Sequence, residues 1–419
     1  MIKVGVIGVG TVGTSVVKIL KNSKEMITAR TGHEVVVKCG VVRNLNKKRE
    51  LDITLSSDPY DIINDPEIDV VVELMGGVEE PFKVVKAALQ NGKAVVTANK
   101  ALLAYHRYEL QDIAKDIAFE FEASVAGGIP IINALRDGLS ANHIESIQGI
   151  LNGTCNYMMT KMTDEGVSFD AILKESQELG YAEADPTFDI GGFDAAHKLL
   201  ILASIAYGID AKPEDILIEG IEQVSQDDIA FAKEFGYAIK LLGIAKRDGN
   251  EVELRVHAAL VKKDEMIAKI DGVMNGVSVV GNYVGETLYY GPGAGGDATA
   301  SAVVANIIDI ARSGKSAPML GFNKPLGHSL TLKNSDNIIS KYYLRLKVAD
   351  KPGVLARITQ LFGEYDISIE TMLQRPVDSE SANLLFSTHE ALERNVQEVL
   401  SEIEALEFVV AAPVMIRIV

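Results

Sequence analysis

The chain opens with IKVGVIGVGTVG over residues Ile2–Gly13, an apolar run that leads into the pattern Gly-x-Gly-x-x-Gly. The run predicts a buried strand, and the residues that follow have helical spacing. In a strand–turn–helix unit, the first glycine permits the turn, the second lets the backbone approach a pyrophosphate, and the third lets helix and strand pack. The stretch predicts a Rossmann-type dinucleotide site, with a purely structural turn as the alternative. Its predicted cofactor-binding residues are Gly8, Gly10, Thr11, Val12 and Gly13.

The first 120 residues continue this alternation of Val/Ile-rich runs and helical stretches. Apolar strands that alternate with helices are typical of a parallel sheet covered on both faces. We therefore predict an NAD(P)-binding domain over residues 1–128. Its predicted strands are Ile2–Gly8, Val35–Val42, Val70–Leu74, Ala94–Ala98 and Ala118–Phe121, and its helices include Thr11–Asn22 and Pro81–Asn91.

The rest of the chain predicts two further domains. Residues 129–320 have a looser pattern that favours an α+β substrate and dimerisation domain, whose last helix (Ala298–Ala311) is expected to return to the nucleotide domain. Residues 321–340 are rich in Gly, Pro, Ser and Asn and predict a linker. Residues 341–419 predict a ferredoxin-like βαββαβ module. The predicted elements beyond residue 129 are helices Phe169–Leu179, Asp194–Tyr207, Val354–Tyr365 and Leu392–Ala405 and strands Glu251–Val261, Tyr342–Val348, Ile367–Leu373, Asn383–Ser387 and Phe408–Ile418.

Composition excludes several classes of protein. The net charge is −17, Trp is absent and aromatic residues are 6%, which argues against nucleic acid or an anionic membrane as a partner. The two cysteines, Cys39 and Cys155, cannot build a disulfide framework or a cysteine zinc site. The longest apolar stretch, Leu199–Ile209, is far below the roughly 18 residues that span a bilayer. The start resembles no signal peptide, so we expect a cytoplasmic protein without membrane partners.

The choice of dinucleotide depends on the end of the second predicted strand. NAD sites usually place an acidic residue there to hold the ribose 2′-OH, whereas NADP sites tolerate an arginine. This strand ends at Arg43, with Lys47, Lys48 and Arg49 close behind. The pattern favours NADP, with NAD possible, and the alternative is a solvated basic loop.

Two polar segments are candidates for the reaction centre. GYAEADPTFDIGGFDAAHK, over Gly180–Lys198, places four acids and a lysine beside an apolar run. Asp194 and Lys198 are four residues apart and would share one face of a helix, as in a substrate site or an ordinary ion pair. Thr97–Lys100 follows a predicted strand at the end of the sheet where ligands bind, although a helix cap with a surface lysine would have the same pattern.

Gly180–Lys198 resembles the homoserine dehydrogenase signature at every fixed position, and other blocks of that family occur in the same order over about residues 1–320. These blocks are the glycine pattern, Thr97–Lys100, Glu122–Pro130, Asn152–Tyr157, Gly291–Gly296 and Thr299–Val303. The C-terminal module, with DKPGVL over Asp350–Leu355 and ISIE over Ile367–Glu370, resembles an ACT domain, an amino-acid-sensing unit.

The resemblance implies interconversion of L-aspartate 4-semialdehyde and L-homoserine with NAD(P)H, in threonine, methionine and isoleucine biosynthesis. It implies that Lys198 donates the proton, with Lys100, between nicotinamide and substrate, as the rival. Glu183 and Asp194 would hold the substrate, and Gly180 and Gly295 would contact the cofactor. Arg43 is added to the cofactor site by the argument above. The resemblance also implies a monovalent cation, sodium, bound largely through backbone carbonyls of Glu122, Val125, Gly127 and Ile129.

Regulation and assembly are expected from the same resemblance. The ACT module would bind a pathway amino acid, threonine first, at the Asp350–Gly353 turn and at Ser368, Glu370 and Gln374, or it would only extend a dimer interface. We expect a homodimer or homotetramer. Two other classes of protein remain as alternatives: a semialdehyde dehydrogenase with Cys155 as nucleophile, and a non-enzymatic amino-acid sensor.

Overall fold

The structure is a computed structural model that describes residues 1–314, 318–324, 326 and 330–419. Residues 325 and 327–329 of the predicted linker lie outside the described residues. In the described part of the chain, no helix has both the length and the apolar character that a membrane crossing requires. The chain forms two compact units, each assembled from separated segments. The first unit contains Met1–Gly153, Asp194–Asp215 and Val273–Leu330, and the second contains Thr154–Phe193, Ile216–Gly272 and Thr331–Val419.

The first unit is built around a six-stranded parallel sheet, which confirms the predicted Rossmann-type fold. When the strands are numbered along the chain, their order across the sheet is 3-2-1-4-5-6. Ligands are expected where this order reverses, between the first and fourth strands, at the carboxyl ends of the strands. The third strand, Thr54–Ser56, is not predicted from the sequence, because three residues carry no readable period. It forms by pairing along Val35–Val41. The strands are Ile2–Ile7, Val35–Val41, Thr54–Ser56, Val70–Glu73, Ala94–Thr97 and Phe119–Glu120.

A helix from late in the chain completes this core. Gly296–Ser313 buries Val303 and Ile307 in the same apolar cluster as Val4 and Val16 of the opening strand and helix. The first unit also contains an antiparallel group of three strands, Ile144–Ile150, Met274–Gly281 and Gly285–Pro292. Its helices are Thr11–Asn22, Lys24–Thr31, Tyr60–Ile63, Glu79–Gln90, Lys100–Ala114, Ile131–Asn133, Phe193–Tyr207 and Gly296–Ser313.

The second unit includes the predicted βαββαβ module, and the structure confirms its order of elements. The predicted last strand is too long, because only Val414–Ile418 is a strand and residues 408–413 are irregular apart from an isolated bridge between Val409 and Val348. Pro413 has no N–H to donate to a ladder, which explains the later start. The module contains strands Ile339–Ala349, Ile369–Pro376, Ser381–Thr388 and Val414–Ile418 and helices Val354–Glu364 and Glu393–Glu404, around a core of Tyr342, Ile358, Phe362, Phe386 and Val396.

Strong contacts join this module to the rest of the second unit. Val414–Ile418 pairs in parallel with Glu251–Lys262, a strand buried at ten consecutive positions. Arg417 is fully buried and donates to Glu219 at 2.7 and 2.9 Å and to Glu393 at 2.8 Å. The module is therefore part of a continuous packed structure. The other elements of this unit are helices Gly153–Glu165, Phe169–Glu178, Thr187–Ile190 and Gln226–Glu234 and strands Leu217–Ile218, Tyr237–Asp248, Thr331–Leu332 and Ala391–Leu392.

Candidate active site

The glycine turn has the shape that a dinucleotide site requires. Gly8 has φ +102°, and a Cβ there would lie 2.5 Å from the Leu74 carbonyl oxygen, so only glycine fits. A Cβ at Gly13 would lie 2.5 Å from the Gly8 carbonyl oxygen, which explains the third glycine. The space beside Gly10 is open, and no side chain caps the helix that begins at Thr11. The N–H groups of its first turn are therefore available to phosphates.

The basic loop after the second strand is held against this turn by Arg49. Its Nε donates to the Val9 carbonyl at 3.3 Å, and its Nη1 donates to the carbonyls of Asn44 and Lys47 at 2.9 and 3.0 Å. Arg43, the predicted cofactor residue, is exposed just after the strand. The sequence placed Arg49 in the basic loop but did not reveal that it fixes the loop.

Lys100, Asp194 and Lys198 come together in the first unit. Lys100 begins the helix Lys100–Ala114, and the other two lie one turn apart on Phe193–Tyr207. Lys100 forms an ion pair with Asp194 Oδ1, and the Lys198 Nζ donates to Asp194 Oδ2 at 2.7 Å. Burial disfavours the ionised form of Asp194, but the positive charges of Lys198 and Lys100 favour it more strongly. They hold the pKa of this carboxyl well below its usual range. Asp194 is therefore a carboxylate that orients two ammonium groups.

Backbone and amide groups complete this cluster. The Lys198 Nζ also donates to the Leu151 carbonyl at 2.6 Å, and the Asn152 Nδ2 donates to Asp194 Oδ2 at 2.9 Å. The Asn275 Nδ2 donates to the same Leu151 carbonyl at 3.1 Å. The sequence did not assign Leu151, Asn152 or Asn275 to the reaction centre. Asn152 could have been suspected from the Asn152–Tyr157 block, whereas a carbonyl contact leaves no signal.

The two helices that carry the lysines are joined a second time, away from Asp194. Arg107, which is 1% exposed, donates from Nε to Ser204 Oγ at 2.5 Å and from Nη2 to the Ala211 carbonyl at 2.6 Å. Tyr105 and His197 pack edge to face with ring centroids 5.7 Å apart. These contacts fix the spacing of the helices, so the lysines converge on Asp194 from a rigid frame.

The segment predicted to bind a cation is a buried turn. The Glu122 carboxylate accepts the N–H groups of Ile132 and Asn133 at 2.8 and 2.9 Å, and burial raises its pKa to about 7 against these bonds. Ala126 and Gly127 have φ of 53° and 52°, which bends the chain sharply. No group of three or more His, Cys, Asp or Glu side chains in the described residues is placed to hold a metal ion. A cation here would depend on carbonyl oxygens.

The remaining predicted cofactor position of the first unit, Gly295, lies beside the glycine turn. It has φ +119° and precedes the helix Gly296–Ser313, and a Cβ at Gly296 would lie 3.0 Å from Thr11 Cγ2. The start of the helix Gly296–Ser313 therefore lies against the start of the helix Thr11–Asn22.

Gly180 and Glu183 belong to the second unit. Gly180 has φ +77°, and the exposed Glu183 accepts the Gln177 Nε2 at its carbonyl oxygen at 3.1 Å, so its carboxylate is not used in that bond. Cys155, the nucleophile of the alternative reading, is completely buried and its Sγ lies 3.2 Å from the Asp189 carbonyl. A nucleophilic thiol needs exposure, so the structure disfavours that alternative.

A parallel sheet with a glycine turn at its switch point, in the same unit as two lysines on one buried carboxylate, is typical of nicotinamide-dependent oxidoreductases. The sequence matches the family descriptions "Homoserine dehydrogenase, NAD binding domain" over residues 8–122, "Homoserine dehydrogenase" over residues 130–308 and "ACT domain" over residues 342–408. The chain belongs to the homoserine dehydrogenase family.

Curated relatives and a solved structure match this chain over nearly its whole length. A homoserine dehydrogenase of Helicobacter pylori is 54% identical over 418 residues, covering 100% of this chain and 99% of its own, and one of Neisseria gonorrhoeae is 42% identical, covering 99% and 98%. The crystal structure of a homoserine dehydrogenase from Thiobacillus denitrificans superposes with a TM-score of 0.92 at 46% identity, covering 100% and 98%. A hyperthermophilic archaeal homoserine dehydrogenase solved with NADPH has a TM-score of 0.63 at 26% identity, covering 74% and 97%. The cofactor of this chain is a nicotinamide dinucleotide.

Proposed function

We propose that the protein catalyses the reversible NAD(P)H-dependent reduction of L-aspartate 4-semialdehyde to L-homoserine, a step of threonine, methionine and isoleucine biosynthesis. The observation that carries the proposal is the convergence of Lys100 and Lys198 on Asp194 at the carboxyl side of a dinucleotide-binding sheet. An aldehyde that accepts a hydride develops negative charge on its oxygen, and positioned ammonium groups stabilise that charge.

In this proposal Lys198 donates the proton to the developing alkoxide. Its side chain is 11% exposed and is held by Asp194 and by the Leu151 carbonyl, so the ammonium group has a fixed position in a low-dielectric site. The Lys100 side chain is 36% exposed, which suits a residue between nicotinamide and substrate. Glu183 and Asp194 would face the substrate amino group, and Asp194 also orients both lysines.

The direct test is oxidation of NADPH, followed by absorbance, when L-aspartate 4-semialdehyde is added. We expect turnover that depends on the semialdehyde, does not require phosphate and survives a thiol-alkylating reagent, because Cys155 is buried. Repeating the assay with NADH measures cofactor preference, and replacing sodium by choline measures dependence on a cation. Turnover that requires phosphate and is lost on alkylation would instead support the cysteine-dependent semialdehyde dehydrogenase.

The preference for NADP is assigned to Arg43. The residue is exposed at the end of the strand Val35–Val41, and Arg49 fixes the loop that follows it. We expect Arg43→Ala to weaken NADPH binding by roughly 1.5–3 kcal/mol through loss of a charge-assisted hydrogen bond, while NADH binding changes little. Titration of cofactor fluorescence measures both, with the exposed Arg30→Ala as the matched control. An equal loss for the two cofactors would refute the assignment.

A monovalent cation, sodium, is proposed for the turn over Glu122–Pro130. Two of the four predicted ligands, Val125 and Gly127, have carbonyls that accept no backbone hydrogen bond from the described residues. The Ile129 carbonyl accepts the Ile131 N–H at 2.8 Å, and the Glu122 carboxylate is occupied by two N–H groups. The bound cation would brace the turn, which packs closely against the Gly293 carbonyl through Gly127.

Assembly into a homodimer or homotetramer is also proposed. The antiparallel group of the first unit ends at Gly285–Pro292, where Tyr283 and Tyr290 are 80% and 58% exposed. Tyrosine is enriched at subunit interfaces, which favours this edge as the surface that a second subunit covers.

Feedback control by threonine at the ACT module is the last part of the proposal. Glu370 and Gln374 are exposed, and the Gln374 Nε2 donates to Asp350 Oδ1 at 3.0 Å, which joins the strand to the turn before the helix Val354–Glu364. A ligand carboxylate at this helix start would displace that bond. Point variants are a cleaner test than deletion, because Arg417 and the strand Val414–Ile418 hold the module in place.

We expect threonine to inhibit the full-length enzyme with an affinity change in the range of about 5–150-fold between regulatory states. Ser368→Ala and Gln374→Ala should remove the inhibition and leave basal turnover intact. Gln360→Ala, on the exposed face of the adjacent helix, is the control. If millimolar threonine, methionine, isoleucine and lysine all leave the rate unchanged, the module has only a structural role at the interface.

A further inference from the structure

The reaction described above does not use Glu73, a fully buried carboxylate at the crevice end of the sheet. Glu73 ends the strand Val70–Glu73 and lies in register between Ile7 on one side and Thr97 on the other. Its carboxylate accepts the Thr97 Oγ1 hydroxyl at 2.6 Å and the Met75 N–H at 2.7 Å. Burial raises the pKa of Glu73 although these bonds oppose the rise. Burying an acid costs free energy that hydrogen bonds must offset, so the partners of Glu73 indicate what it holds in place.

Its bonds lead to the helix that carries Lys100. The Thr97 hydroxyl donates to Glu73 and, at the same time, accepts the Asn99 N–H at 3.0 Å. Asn99 is the N-cap of this helix, since its Oδ1 accepts the Leu102 N–H at 3.0 Å. The Asn99 Nδ2 donates to the Gly77 carbonyl at 2.8 Å, in the loop that follows Glu73. Lys100 is the next residue, so its backbone position is set by Asn99.

We propose that Glu73 is a positioning residue for Lys100, acting through Thr97 and Asn99 to fix the first helical turn so that Lys100 contacts Asp194. The proposal rests on the proposed function, which places Lys100 at the reaction centre. The geometry explains why a carboxylate is needed rather than an amide. Both oxygens of Glu73 accept a hydrogen bond, one from the Thr97 hydroxyl and one from the Met75 N–H, whereas an amide can accept at only one of these two positions.

The alternative role for Glu73 is to support the glycine turn that binds the cofactor. The residues that follow it pack against Gly8, whose Cβ position lies 2.5 Å from the Leu74 carbonyl oxygen. If Glu73 only supported this turn, its loss would weaken cofactor binding and lower the melting temperature without acting through Lys100. The experiment must therefore separate a loss of kcat that depends on Lys100 from a general loss of folding or of cofactor affinity.

The test compares Glu73→Gln, Thr97→Val and Thr97→Ser in NADPH oxidation, each alone and in a Lys100→Ala background. We expect Glu73→Gln and Thr97→Val to lower kcat by about 10- to 100-fold, the cost of a misplaced catalytic group, with the KM for NADPH within about twofold. Thr97→Ser keeps the hydroxyl and should retain near-normal kcat. In the Lys100→Ala background, adding Glu73→Gln should lower kcat by less than a further factor of about two, because the effects of residues that act as a unit are not additive. Asp69→Asn is the control, since Asp69 accepts the Lys3 N–H at 2.7 Å just before the same strand begins.

Three results would contradict the positioning role of Glu73. Additive losses in the double variant, an unchanged kcat in Glu73→Gln, or a loss in Thr97→Ser equal to that of Thr97→Val would overturn it. If the Glu73→Gln protein does not fold, the same question is decided by Thr97→Val and Thr97→Ser, each alone and combined with Lys100→Ala. If Lys100→Ala itself keeps full activity, the proposed role of Lys100 fails and the positioning role falls with it. If Lys100→Ala is impaired while Glu73→Gln is not, only the positioning role is wrong.

Discussion

Replacing Lys198 by alanine is expected to lower kcat by about 10²–10⁴, the contribution of a well-placed general acid. Cofactor affinity should change little, because Lys198 lies on Phe193–Tyr207 and donates to Asp194 and to the Leu151 carbonyl. Steady-state kinetics with NADPH and the semialdehyde, together with cofactor titration, measure the two effects separately.

The matched control is Lys93→Met. Lys93 is also buried, and its Nζ donates to the carbonyls of Asp65 and Ile68 at 2.6 and 2.8 Å, at the end of the sheet opposite the crevice. Its replacement should lower the melting temperature and leave kcat unchanged, which separates a buried lysine that stabilises the fold from one that reacts. If Lys198→Ala is nearly silent while Lys100→Ala abolishes turnover, the two lysines exchange roles.

Asp194→Asn is expected to lower kcat by about 10²-fold or more. Misplacing a catalytic group by about 1 Å typically costs about 10²-fold in rate, and Asp194 is the group that holds both lysines in position. Asp194 is 3% exposed at the side chain and is shared by two lysines, so both lose their counter-ion. Since its pKa is held low, Asp194 stays ionised throughout the working range, and its own titration contributes no acid limb to the activity profile above about pH 4.

The pH profile gives the second readout for this variant. A buried ammonium group without a carboxylate partner loses its proton more easily, so the alkaline limb of kcat should move to lower pH in Asp194→Asn. Asp210→Asn is the control, because Asp210 is 63% exposed and pairs with Arg107 at 3.5 Å, an arrangement that contributes little. If Asp194→Asn raises only the KM for the semialdehyde and leaves kcat and its pH profile intact, Asp194 binds substrate and does not orient the lysines.

The sequence by itself predicted those features that depend on neighbours along the chain. A glycine turn between strand and helix has a local stereochemical cause, and the structure gives Gly8 and Gly13 the close contacts that exclude a side chain. The spacing of Asp194 and Lys198 follows from the helical period alone, and the ion pair confirms it. The alternation of strands and helices also predicted the parallel sheet, because each element carries its own apolar period.

Tertiary structure decided what joins residues far apart in the chain. The family resemblance placed Lys100 and Asp194 in one site, but no local pattern joins Lys100 to Asp194 or Glu73 to Thr97. Each pair is formed by separate elements that meet only when the sheet and its helices pack. The short strand Thr54–Ser56 depends on its pairing with Val35–Val41, not on propensity. Every residue type has a backbone carbonyl, so the sequence carries no sign that the carbonyl of Leu151 is the partner of Lys198. Its position in the fold alone decides this contact. The sequence determines which chemical groups the side chains carry, whereas packing sets the distances between groups that are far apart in the chain.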